Sequence, residues 1–312
     1  CIGEPERRFT EDALRILRGL RFSASLGFWI EDGTAAAMLD CRELLNNISA
    51  ERIFSELSKL LTGRRSGENI LRVMTCFREI FAVMIPELRG IFDLDQHSKW
   101  HYLDVYQHTA LSVQNAAQLT SGRGNALPLT LAMLFHDIGK QRCFTQDENG
   151  EGHFYGHAAY SAEMADAILR RLKCSNALRE RVCSIVKYHD APLKDNDRAV
   201  RRFLAKHGEQ LACDIALAHI ADDLAKKEEA RARVTEWYAV ISRIHRLASE
   251  CCFTMKDLAV DGNALREIVP PSPLMGEVMK RLLEMVVDGD IPNEREILLQ
   301  EAAKYVANRD II

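Results

Sequence analysis

Apolar residues recur at helical spacing along almost the whole of this 312-residue chain, and only one stretch alternates as a strand would. Leu14, Ile16, Leu17, Leu20 and Phe22 form a stripe that a helix turns to one side, and Gly27 closes it. Thr10 stands just before Glu11 and Asp12, which predicts an N-cap hydroxyl with acidic residues in the first turn. "IEDGTAAAML" begins another helix. Ser49 opens a third, "SAERIFSELSKLLTG", with Ile53, Leu57, Leu60 and Leu61 on its apolar face and a stop at Gly63. Residues 70–86 read as a further apolar helix, and Pro86 and Gly90 punctuate it. The exception is "QRCFTQDENGEGHFYG", whose alternating residues flank Asn149-Gly150, a pair suited to the positive φ of a hairpin turn. A long charged helix over residues 221–250 is expected next, and a tail of short helices broken by "VPPSP" and "DGDIPNERE" follows Cys251-Cys252. The pattern predicts an all-α fold with one short β-hairpin.

Composition narrows the setting. An apolar fraction of 47% with 28% charged residues describes an ordinary globular protein. No stretch approaches the roughly 18 consecutive apolar residues a membrane span needs. The opening residues are rich in Arg and Glu where the apolar core of a signal peptide would lie. Nine cysteines without a CxxC pair suit reduced thiols, so no membrane partner and a cytoplasmic location are expected. At a net charge of −4, any polyanion must be gripped by local basic patches. The chain begins at Cys1 and enters a helix-start pattern by residue 9, which reads as part of a longer protein.

The sharpest chemical signal is "LTLAMLFHDIGK", an apolar helix that ends in His136-Asp137. An imidazole and a carboxylate at the end of a buried helix are both desolvated, and a divalent cation can satisfy the pair. His108 lies one helix upstream; His157, His189-Asp190 and Asp222-Asp223 lie downstream. Any one of these alone is an ordinary structural residue, and His97, His101, His153, His207 and His245 are read as such. The order His, His-Asp, His, His, Asp resembles the HD phosphohydrolase superfamily. The resemblance implies His108, His136, Asp137 and Asp222 as primary metal ligands. Further ligands or phosphate contacts at His157 and His189 would match the two-metal members. Lys140, one turn after His136, is placed to meet a substrate phosphate, and His136, Asp137 and Lys140 are the candidate catalytic residues. Mixed nitrogen and oxygen ligation suits Mg²⁺, or a transition metal such as Mn²⁺, Ni²⁺, Co²⁺ or Fe²⁺, and the implied chemistry is metal-assisted hydrolysis of phosphoesters.

A second segment, "RRFTEDALRILRGLRF", is a helix with an arginine face, which by itself is commonly a solvated surface. "RFTEDALRILRGLRFSASLGF" resembles the start of the neck in bacterial class II CCA-adding tRNA nucleotidyltransferases, which also include poly(A) polymerases. In that family the Asp and Arg of "EDALR" pair with the edge of incoming CTP or ATP. The resemblance assigns those roles to Asp12 and Arg15. Three residues apart, they would share a helix face. "SAERI" is similar to the next neck motif, in which Glu51 and Arg52 brace the recognition helix. Arg8, Arg18 and Arg21 become candidates for triphosphate or tRNA backbone contacts. The segment from Leu258 to Tyr305 is similar to the family's tRNA-binding C-terminal domain, apart from "IVPPSPLMG" where a Gly-rich turn is usual.

The likeness covers essentially the whole chain and divides it into a neck (1–65), a connecting helix (66–90), an HD-domain helical body (91–250) and a helical, tRNA-binding tail (251–312). It lacks the polymerase head, since no Gly-Ser dipeptide occurs and Asp93-Leu94-Asp95 lies after the neck. The expected function is the C-terminal part of a tRNA CCA nucleotidyltransferase that binds tRNA and, in the full-length parent, CTP and ATP. Its HD site would act as a 2′,3′-cyclic phosphodiesterase or 2′-phosphatase. A stand-alone HD-domain phosphohydrolase is the alternative, and a helical scaffold with a vestigial metal site is a third reading.

Overall fold

The computed structural model describes residues 3–122, 124–192, 196–250, 253–269 and 272–309. They fall into two compact units: Cys1–Ala191 with Asp214–Trp237, and Pro192–Cys213 with Tyr238–Ile312. In the first unit the helices are α1 (Pro5–Glu11), α2 (Leu14–Leu26), α3 (Asp32–Asp40), α4 (Ala50–Thr62), α5 (Ser66–Cys76), α6 (Arg78–Met84), α7 (Val105–Leu119) and α8 (Leu127–Phe135). The strands β1 (Thr145–Gln146) and β2 (Gly152–His153) follow, then α9 (His157–Arg171) and α10 (Asn176–Tyr188). The chain continues through α11 (Asp197–Asp223), α12 (Glu228–Arg231), α13 (Val234–Glu250), α14 (Pro273–Asp288) and α15 (Arg295–Arg309). The fold is all-α with one antiparallel hairpin, as the periodicity predicts.

The first unit is organised around α8. Every residue from Pro128 to Phe135 is buried, because a helix apolar on all sides is satisfied only when neighbours cover it all round. Helices α4, α7, α9 and α10 pack against it. Helix α7 is tied across its flanks as well: Tyr106 Oη donates to the Met74 carbonyl (3.0 Å), and Asn115 Nδ2 to that of Ala221 (3.0 Å). These bonds hold α7 in one register against α5 and the end of α11.

The hairpin forms where Asn149-Gly150 predicts it, with Thr145 opposite His153 and Gln146 opposite Gly152. Gly150 supplies the positive φ (80°), and Asp147 Oδ1 accepts from the amides of Asn149 and Glu151 at 2.9 Å. Gly27 ends α2 in the left-handed region (φ 76°).

Three boundaries differ from the sequence reading. The first helix starts at Pro5, whose missing N–H is no loss in a first turn, so Thr10 is not a cap. Its hydroxyl instead donates back to the Glu6 carbonyl at 2.8 Å. The apolar run 70–86 is divided at Phe77 (φ −120°, ψ 30°), a buried residue at which the helical period carries on but the backbone turns. The expected helix over 221–250 is broken after Asp223, where the amides of Ala225 and Lys226 turn back to the carbonyls of Asp222 and Asp223.

In the second unit α14 and α15 pack with the segment before them around Leu265, Val269, Val278, Leu282, Leu298 and Ala302. Arg202 and Arg198 both grip Asp288, with contacts of 2.5 Å and 2.7 Å. Helix α11 is interrupted at Gly208 (φ 74°). Cys251, Cys252 and the two prolines at 270–271 lie outside the described residues. No disulfide joins the described cysteines.

Candidate metal centre

Helix ends deliver the polar residues of the first unit to one place. Helix α7, capped by Asp104 on the Gln107 amide (2.9 Å), carries His108 one turn in. His136 terminates α8, and Asp137 follows it. Gly156 (φ 76°) turns the chain so that His157 is the first residue of α9, and His189 terminates α10. Asp222 stands at the end of α11. Apolar helices bury these groups while their termini free the side chains from helical packing.

The side chains converge. His108 Nε2 lies 2.9 Å from Asp222 Oδ1 and 3.6 Å from Asp137 Oδ2. His136 Nε2 lies 3.3 Å from Asp137 Oδ2 and 3.3 Å from His108 Nε2. On the other side of the same carboxylate, His157 Nε2 and His189 Nε2 approach Asp137 Oδ1 to 3.4 and 4.0 Å, and each other to 3.2 Å. Two candidate triads result, His108–His136–Asp137 and Asp137–His157–His189, with Asp137 common to both.

The outer ring nitrogens decide what such a cluster can hold. Nδ1 of His136, His189 and His157 donates to the carbonyls of Met133, Val186 and Phe154 at 2.7, 2.7 and 3.0 Å, and Nδ1 of His108 faces that of Ala225 at 3.4 Å. Carbonyls only accept, so the Nδ1 atoms carry the protons and the Nε2 atoms present lone pairs. Lone pairs facing each other at 3.2–3.3 Å beside buried carboxylates repel unless a proton or a metal cation lies among them. The donor set of imidazole and carboxylate therefore fits a divalent ion at each triad and has no thiolate in it.

Charge in the cluster is balanced from two sides. Burial alone would push Asp137 up, but the His136 imidazole and the Lys140 ammonium hold it well below the usual carboxylate range. Asp222 is likewise held well down, with Lys226 and His108 overcoming its burial. Burial lowers His108 and His189, which favours the neutral, ligating form. His136 moves the other way, because Asp137 outweighs its burial.

Lys140 lines the cavity beside these groups, but it is already engaged. It is buried, donating to Asp137 Oδ2 (2.7 Å) and Gln96 Oε1 (2.8 Å). Gln96, Lys226 and His101 are partners that sequence reasoning missed. Lys226 donates to Asp222 Oδ2 at 2.6 Å, a contact whose four-residue spacing was legible. His101 packs edge-on to His108 with ring centroids 5.0 Å apart, and nothing in its sequence context signals that.

The neck candidates sit apart from this centre, on α1, α2 and α4. Asp12 is not on a helix with Arg15: it is extended (φ −155°, ψ 102°) at the α1–α2 junction, where its Oδ1 accepts from the Leu14 amide at 3.2 Å. The shared helix face that the spacing suggested is therefore corrected to a corner. Arg52 reaches across from α4 to Asp12 at 3.2 Å. Arg15 donates to the Arg8 carbonyl and to Glu11, both at 2.8 Å, and Arg8 joins Glu11 at 2.6 Å. Arg21 turns inward to the buried Glu56 (3.3 Å), whereas Arg18 lines a surface cavity of about 530 Å³ with Arg15, Phe22 and Trp29.

Comparison with known proteins finds two family matches, which between them cover much of the chain. Residues 153–302 match a family model described as "tRNA nucleotidyltransferase domain 2 putative". Residues 27–90 match one described as "Probable RNA and SrmB-binding site of polymerase A". The chain is 29% identical to the A-adding tRNA nucleotidyltransferase of Deinococcus radiodurans, covering 96% of this chain and 70% of that protein. It is 30% identical to the CC-adding tRNA nucleotidyltransferase of Thermus thermophilus, covering 93% and 66%. It is 28% identical to the CCA-adding enzyme of Streptococcus gordonii, covering 96% and 61%. The chain thus spans roughly two thirds of the length of these relatives. Among solved structures, the Bacillus stearothermophilus CCA-adding enzyme in complex with CTP shares the fold, with a TM-score of 0.64 at 22% identity over 99% of this chain and 66% of that one.

Proposed function

Because this chain belongs to the family of bacterial tRNA nucleotidyltransferases that includes the CCA-adding enzymes, we propose that it serves tRNA 3′-end maturation and repair, binding tRNA and selecting CTP and ATP. In this reading residues 1–65 are the neck, 66–90 a connecting helix, 91–250 an HD body and 251–312 the tRNA-binding tail of a cytoplasmic enzyme. Among the described residues, no helix is long and apolar enough to cross a membrane. Asp12 and Arg15 read the nucleotide, Arg8 and Arg18 lie nearest to its phosphates or to tRNA, and Arg52 holds Asp12 in place through the contact at 3.2 Å. Arg21 serves the neck through Glu56.

Nucleotidyl transfer itself needs paired carboxylates for two metal ions. Asp93-Leu94-Asp95 is a poor substitute, since Asp93 is held by Arg78 at 2.9 Å. The polypeptide alone therefore does not extend tRNA. Incubation with tRNA lacking its 3′ end, CTP, ATP and Mg²⁺ checks this, and efficient incorporation overturns it.

The body adds a second activity, hydrolysis of phosphoesters such as 2′,3′-cyclic or 2′-phosphates. The observation that carries this reading is the pair of imidazole–carboxylate triads sharing Asp137. A divalent ion bound there would polarise the phosphoester and lower the pKa of a bound water. His108, His136, Asp137 and Asp222 would hold one ion, and Asp137, His157 and His189 another. The protein's own part is to fix these donors by their Nδ1–carbonyl bonds and to supply Lys140 and Lys226 as fixed positive charge beside the carboxylates. Assaying a 2′,3′-cyclic nucleotide with Mn²⁺, Ni²⁺ or Mg²⁺ tests the proposal. Activity should vanish in His136→Ala and Asp137→Ala. If the wild-type protein binds metal without turnover, the site is a structural one instead.

A further inference from the structure

The hairpin between residues 138–142 and α9 contributes none of the proposed ligands before His157, yet it forms a wall of their cavity. That cavity measures about 300 Å³ and is lined by Asp137, Lys140, His153, Tyr155, His157 and Lys226, among others. Its size is at the lower end for small-molecule sites, enough for a sugar phosphate but not for a whole nucleotide with its base. Whatever else the ligand carries must therefore lie on the rim.

The rim is built for a flat group. Tyr155 is 77% exposed, which is unusual for a large aromatic ring, but it is anchored. It stacks on His153 with ring centroids 5.3 Å apart and planes 10° apart, its hydroxyl 3.5 Å from His153 Nδ1. His153 is held in turn by Asp147, whose Oδ2 lies 3.2 Å from Nε2 and whose Oδ1 accepts two hairpin amides. Below them Phe154 packs on Phe144 (5.3 Å) and under the Lys140 ammonium (5.2 Å). A single residue, Gly156, then connects Tyr155 to His157. One face of the tyrosine ring is thus backed and the other open, two residues from a proposed metal ligand.

We propose that Tyr155, backed by His153, is the platform on which a nucleobase stacks while the attached phosphate lies at the metal centre. The substrate class is then a nucleotide with a 2′- or 2′,3′-cyclic phosphate, of any base, because every base offers a π-face. This rests on the phosphoesterase reading of the same centre, and its test separates the two. Metal-loaded protein is titrated calorimetrically with adenosine 2′-monophosphate and with inorganic phosphate. The wild-type protein should bind the nucleotide at least about fivefold more tightly than phosphate, the low end of base–aromatic stacking. Tyr155→Phe should keep that margin, and Tyr155→Ala should collapse the nucleotide's affinity onto that of phosphate. Phosphate binding with no nucleotide margin in the wild type, or a margin that survives in Tyr155→Ala, refutes the platform alone. Failure of every variant to bind phosphate refutes the phosphoesterase reading and the platform with it.

Discussion

Asp137→Ala removes the group on which the whole centre turns, and its cost can be worked from the contacts. In metal-free protein the substitution leaves the buried Lys140 ammonium with only Gln96 Oε1 (2.8 Å) in place of a carboxylate at 2.7 Å. Breaking one partner of a buried charge pair costs about 3–5 kcal/mol. For a unit of this size each kcal/mol lowers Tm by about 2–4 °C, so a drop of about 6–20 °C is expected. Thermal melting in excess chelator measures it. Lys140→Met in the Asp137→Ala background removes the stranded charge and should recover about half of the loss. Adding Mn²⁺ at about 100 times its Kd should raise the wild-type Tm, since a gain of about 2.7 kcal/mol accompanies that occupancy, and should leave Asp137→Ala where it was. A drop below about 2 °C, or a double variant no more stable than the single one, would refute the account of how this charge is balanced.

Three further outcomes follow from the packing and charge. Leu131→Ala, at a fully buried position of α8, should cost about 2–5 kcal/mol, read as a lower urea midpoint with an unchanged slope. Arg202 and then Arg198 depress Asp288 to about 2, below its ordinary 3.8. Its contribution of about 1 kcal/mol is therefore whole above that ordinary value and fades as the pH falls toward the depressed one. Asp288→Asn should flatten the acid limb of the second unit's unfolding profile, and an unaltered limb counts against the linkage. Binding of tRNA should weaken steeply as salt rises, and filter binding that gives the same affinity at about 50 and 200 mM salt would exclude a phosphate-gripping surface.

The sequence was most legible where a local rule and the tertiary fold demand the same thing. The run from Leu127 to Phe135 can only be a buried helix, and Asn149-Gly150 can hardly avoid a hairpin. Boundaries failed where periodicity continues through a bend. Phe77 keeps the apolar stripe in phase while its ψ leaves the helical region, and Pro5 starts α1 well over a turn earlier than the Thr10 hydroxyl suggested. At the metal centre the imidazoles were legible from their order and family likeness. Gln96 and His101 were not, because they arrive from an irregular segment whose course depends on contacts outside any regular element: Gly152 N–H to the His97 carbonyl, and Gln96 Nε2 to that of Leu103. The corner at Asp12 was hidden for a related reason. A three-residue spacing reads as one helix, but the aspartate's own side chain caps the following turn and opens the chain there.

Asp137 offers one oxygen to each imidazole pair, at 3.3 and 3.4 Å. Two ions held as proposed would share a single carboxylate and could not be loaded as strangers, since the first would fix its rotamer for the second. Their affinities would then be linked by one reciprocal coupling constant. A cell that changes which metal is abundant would alter the occupancy of both seats together, and selectivity would be a property of the pair.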